Sequence, residues 1–114
     1  MIHWTRVNEL RDEVGAEDFD EVVELFLEEV EEVIERLRQD VDLSQLEQDL
    51  HFLKGSALSL GFADFSNLCQ DGEKRSADGQ ADTVDLTAII TGFSKSKTQF
   101  VTELSDKITD KITV

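Results

Sequence analysis

The chain has 114 residues, 39% of them hydrophobic, which suits one domain of ordinary size and excludes a disordered chain. A formal charge of −15, from 26 acidic and 11 basic residues, argues against nucleic acid or an anionic membrane surface as a partner. No apolar run approaches the roughly 20 residues that span a bilayer, and Met1 to Arg11 has no signal-type apolar stretch, so a cytoplasmic protein is expected.

The chain contains no proline, so nothing forces a break inside long helices. Hydrophobic spacing predicts five helices, no strands and a single domain over residues 1–114. The first runs roughly from Trp4 to Val14, with Trp4, Val7, Leu10 and Val14 at helical spacing and Gly15 as its C-terminal cap. The second runs roughly from Glu17 to Gln39. Phe19, Val22, Val23, Phe26, Val30, Val33, Ile34 and Leu37 form its inner stripe, with most acidic residues between them. Glu28, Glu29, Glu31, Glu32 and Glu35 read as a solvated face. The valines favour a strand by propensity, but their period is that of a helix.

The third helix is expected from about Ser44, capped by Asp42 or Ser44, to Leu60. Leu46, Leu50, Leu53, Ala57 and Leu60 point inward, and Gly61 ends it. The fourth runs roughly from Ala63 to Ala77, with Phe65, Leu68, Cys69 and Gly72 facing in and a turn at Asp78 and Gly79. The fifth is expected from Asp82 or Thr83 toward Ile108, on a stripe of Leu86, Ile89, Ile90, Phe93, Phe100, Leu104 and Ile108. Lys97 lies near that stripe, and the last residues are expected to fray. Four long amphipathic helices with short connections predict an all-α, antiparallel up-down four-helix bundle with a short extra N-terminal helix. Cys69 is the single cysteine, so an internal disulfide is impossible, and it reads as a small core side chain.

The third helix carries the chemistry. His51, Lys54 and Gly55 stand at i, i+3 and i+4 and share one face, off the Leu50–Leu53–Ala57 stripe. An imidazole, with an ordinary pKa of about 6.5, is largely neutral and nucleophilic near neutral pH. A lysine one turn away attracts phosphoryl oxygens. Glycine is a poor helix former, by roughly 1 kcal/mol against alanine, and leaves open space beside the histidine. Taken singly, each has a plain explanation: an idle surface histidine, a solvated lysine, a glycine at a helix crossing. Together on one face they suit a phosphoryl carrier.

The stretch His51-Phe-Leu-Lys-Gly-Ser-Ala-Leu-Ser-Leu-Gly61 resembles the histidine-phosphotransfer (HPt) signature, H-x-x-K-G-S with a Leu-Gly several residues later. The resemblance implies a phosphorelay intermediate without catalytic activity of its own. Its histidine takes a phosphoryl group from a receiver aspartate or a kinase and passes it to another receiver. His51 would then be the phosphoacceptor, Lys54 the phosphate-side cation and Gly55 the steric opening. Ser56 matches the motif serine and is read as helix packing. Phe52, Leu58 and Phe62 are expected to form an apolar docking patch. Receiver domains of response regulators and of a hybrid sensor kinase are the partners implied, for a monomer that needs no cofactor or metal. The receiver would supply Mg²⁺ and the aspartate. Many members place a glutamine on the next helix near the histidine, and the comparable position here is Glu73. A carboxylate there orients the imidazole N–H but repels a bound phosphate, so its role is read as weak. The start at Met1 favours a standalone protein over a piece of a hybrid kinase.

Two other readings compete. A metal enzyme in a helical bundle needs inward Glu-x-x-His pairs. Gln48 stands three before His51, Glu47 four before it, there is no second pair, and His3 is expected to be disordered. No Gly-rich nucleotide loop supports a kinase. A non-catalytic bundle that binds receiver or kinase domains without phosphotransfer is the alternative, and the intact His51, Lys54, Gly55 set argues against it.

Overall fold

A computed structural model describes residues 2–107. It contains five α-helices and one short 3₁₀ turn: α1 (Trp4–Val14), α2 (Phe19–Gln39), α3 (Leu46–Leu60), α4 (Ala63–Ala77), the turn Ala81–Thr83, and α5 (Leu86–Lys107). The described residues form no strand beyond an isolated bridge between Ile2 and Phe62. None of their helices is long and apolar enough to cross a membrane. The expected stripe position Ile108 and the fraying of the last residues lie outside the described residues.

The helix ends differ from the sequence expectation where loops compete for the capping groups. Asp42 does not cap α3. Its carboxylate accepts from the Ser44 N–H at 3.0 Å and the Ser44 hydroxyl at 2.6 Å, closing a local turn, and the helix begins two residues later at Leu46. The segment expected to open α5 is a separate 3₁₀ turn, in which the Thr83 hydroxyl donates to the Gln80 carbonyl at 2.7 Å. Val84 is extended (ψ 131°), and Asp85 then caps α5 by accepting from the Ala88 N–H at 3.0 Å. The helix α2 begins at Phe19 rather than Glu17, because Gly15 (φ 90°) turns the chain and accepts from the Asp18 N–H.

The core holds most of the residues that periodicity marked, while Val22 of the α2 stripe is only half-buried and is not part of it. Leu46, Leu50, Leu53, Ala57 and Leu60 of α3 are all fully buried, as are Phe65 and Cys69 of α4 and Phe100 of α5. Trp4 and Leu68 are half-buried against it. Aromatic rings tie the helices at one end. Phe62 lies 5.4 Å from Phe100, Phe65 lies 5.4 Å from Phe93, and Trp4 stacks on Phe100 at 5.7 Å. The N-terminal segment is built into that end. The His3 N–H donates to the Gly61 carbonyl at 2.6 Å, which corrects the expectation that His3 is disordered; its side chain is exposed. Lys97 does reach outward, where it pairs with Glu31 of α2.

The closest helix pair positions the site. A Cβ on Gly72 would lie 2.8 Å from Leu50 Cδ1 and 3.2 Å from Val84 Cγ1, so only glycine lets α4 approach α3 there. The next residues along the two helices, His51 and Glu73, stand at the rim of that crossing.

Candidate functional site

His51 is exposed on α3, its side chain 71% accessible, while Leu50 and Leu53 beside it are sealed. Its Nδ1 lies 2.9 Å from Glu73 Oε2. Lys54 Nζ lies 2.7 Å from Glu73 Oε1, an ion pair whose angle falls short of an aligned hydrogen bond. Lys54 is three-quarters covered and Glu73 four-fifths. One carboxylate from α4 thus bridges two α3 side chains that face it from adjacent turns.

The charges fix the proton positions. Contact with Lys54 is the main reason the Glu73 carboxyl titrates below its usual range, with His51 adding to it and partial burial opposing it. Glu73 is therefore ionised near neutral pH and can only accept. The contact with Nδ1 then requires the proton on Nδ1, so that whenever the ring carries a single proton the Nε2 lone pair is the free one. Lys54, expected from sequence to serve phosphoryl oxygens directly, is held by Glu73 on the Nδ1 side.

Gly55 is exposed, and a Cβ built there meets nothing within 4 Å. Helix crossing does explain two other helical glycines: a Cβ at Gly72 or Gly92 would strike Leu50 or Leu68, at 2.8 and 2.5 Å. It does not explain Gly55, so the space beside His51 is open to the outside. Phe52 (38% exposed) and Leu58 (57%) present apolar surface along the same helix. Phe62 does not join them. It is 1% exposed, because left-handed Gly61 (φ 76°) turns the chain at the helix end and directs Phe62 into the aromatic cluster. Ser56 is buried against the core, as expected of a packing residue. Glu47, Gln48, His51 and Glu73 line a shallow cleft of about 360 Å³ beside the imidazole. Among the described residues, no three His, Cys, Asp or Glu side chains converge as a metal site.

A family model described as the Hpt domain matches residues 21–109, which runs from the first turn of α2 through α5 and takes in the whole of the site. The chain belongs to the Hpt domain family. Hpt domains are phosphocarrier modules of two-component signalling, which interact with receiver domains and kinases. No curated protein and no solved structure matches the chain.

The sequence pointed to His51, Lys54 and Gly55 together because they share one helix face. Glu73, read from sequence as a weak partner of the imidazole because a carboxylate repels phosphate, also contacts Lys54, which spacing within a single helix does not reveal. The available signal was the glycine before it: Gly72, in a helix facing the α3 stripe, brings the following residue to the histidine.

Proposed function

We propose that this Hpt domain is a phosphorelay intermediate, one domain over residues 1–114, that carries its phosphoryl group on Nε2 of His51. Its four long helices are read as an antiparallel up-down bundle that serves as the rigid support of that imidazole. The observation that carries the assignment is the pairing of an exposed imidazole, held through Nδ1 by Glu73, with an empty flank at Gly55. A neutral ring with its proton fixed on Nδ1 is a ready nucleophile, and a glycine with no packing reason leaves room for another protein's active site.

In the transfer, the Nε2 lone pair attacks the phosphorus of a receiver's aspartyl phosphate. The N–P bond forms, the P–O bond breaks, and its electron pair leaves with the aspartate carboxylate. The reverse step returns the pair to Nε2. Rigid placement on α3 spares the partner the entropy of finding the ring. Phe52 and Leu58 supply apolar contact around it. Lys54 acts on the site through Glu73 and, on reaching the phosphoryl oxygens, through direct attraction.

The test is incubation of the chain with a phosphorylated receiver domain, followed by a gel readout of acid-labile label. His51→Gln is expected to take up no label while keeping native circular dichroism, because the side chain makes no core contact. Lys54→Ala is expected to lose about fivefold to tenfold in rate, the effect of roughly 1 kcal/mol from a screened charge. Label retained on His51→Gln would move the site elsewhere and refute the assignment.

A further inference from the structure

A phosphoryl group on Nε2 changes the chemistry of the whole ring. With phosphorus on Nε2 and the proton still on Nδ1, the imidazole is formally cationic. When the N–P bond breaks, its electron pair returns to Nε2. A ring that has kept the Nδ1 proton leaves as neutral imidazole. A ring that has lost it must leave as imidazolate, a far poorer leaving group. The proton on Nδ1 therefore decides how readily the phosphoryl group is released.

The residue that meets this proton is a carboxylate, at 2.9 Å. An ionised carboxylate stabilises a charged N–H donor more than a neutral amide does. Lys54, 2.7 Å from the other oxygen, keeps that carboxylate ionised. Glu47 lines the cleft beside the ring together with Glu73, and no lysine or arginine does so among the described residues. From α2, Arg36 is tied to Asp49 at 2.7 Å. Cys69, one turn before Glu73, is buried and un-ionised. The groups facing the ring thus comprise two carboxylates and one lysine already engaged by Glu73.

We infer that Glu73 holds the proton on Nδ1 after Nε2 has taken the phosphoryl group, and so makes His51 a quick-releasing donor rather than a store. This rests on the reading of His51 as phosphoacceptor. Glu73 is a positioning residue in that step: it touches the ring and not the phosphorus.

The experiment charges the full chain and its Glu73→Gln variant with a phosphorylated receiver domain, removes the receiver, and follows loss of phosphate by ³¹P NMR from mildly acidic to alkaline pH. Wild type is expected to stay labile to a higher pH than the variant. Near neutrality the variant is expected to keep its phosphate roughly tenfold longer. In denaturant the two should coincide, and equal melting of the native proteins shows that the isosteric change leaves the fold alone. A merely structural role for Glu73 would shift the melt and not the pH at which release slows. Superposable pH profiles on labelled chains would overturn the inference and leave the carrier assignment standing. If wild type takes up no label, or His51→Gln does, the carrier assignment itself falls and this inference falls with it.

Discussion

Replacing Gly55 with alanine separates what the chain needs from what a partner needs. Gly55 lies mid-helix in α3 with no positive φ, and a Cβ there touches nothing within 4 Å. The substitution therefore carries the propensity gain alone, about 0.8–1 kcal/mol. For a domain of this size that raises Tm by about 4 °C. Gly72→Ala is the matched control. It gains the same propensity, but its Cβ would lie 2.8 Å from Leu50 Cδ1, 3.2 Å from Val84 Cγ1 and 3.4 Å from Ile89 Cδ1. Leu50 is fully buried, so its methyl can shift only by displacing other core atoms, and overpacking of about 1–3 kcal/mol is expected to outweigh the gain and lower Tm. Calorimetric melts of the two variants should thus move in opposite directions from wild type. Gly55→Gln should also melt no lower than wild type, yet transfer phosphate at least about tenfold more slowly, since a long side chain stands where the partner must approach. A lower Tm for Gly55→Ala would mean that the glycine serves the chain itself. Transfer by Gly55→Gln at the wild-type rate would end the steric argument.

Two further predictions concern surface and core. Leu58→Asp, at a side chain 57% exposed, should leave the unfolding free energy within about 0.5 kcal/mol of wild type and weaken receiver binding measured by calorimetric titration; unchanged binding would remove Leu58 from the docking face. Burial pushes the Cys69 thiol up to about 12, so a thiol reagent at mildly alkaline pH should modify it only at the rate of unfolding, and prompt reaction in native buffer would contradict its placement in the core.

Much of the molecule is decided by sequence alone. Period 3.6 in the apolar residues fixes which face of α3 is buried, and hence that His51, Lys54 and Gly55 lie off it, because on one helix the spacing determines the angle. The bounds of α1 and α4 follow in the same way, each closing at a clear stop signal. Tertiary structure decided what depends on two segments meeting. Whether Asp42 caps a helix or closes its own turn, and whether Asp85 rather than Asp82 or Thr83 starts α5, turned on competition between local hydrogen bonds of similar strength. Phe62 went inward because a single left-handed residue, Gly61, resets the direction of the chain and ends the helical period that placed its neighbours. Glu73 could not be weighed from its own helix, since its effect on His51 depends on Lys54 standing on the far side of the same carboxylate, and that distance exists only once Gly72 has let α4 close on α3.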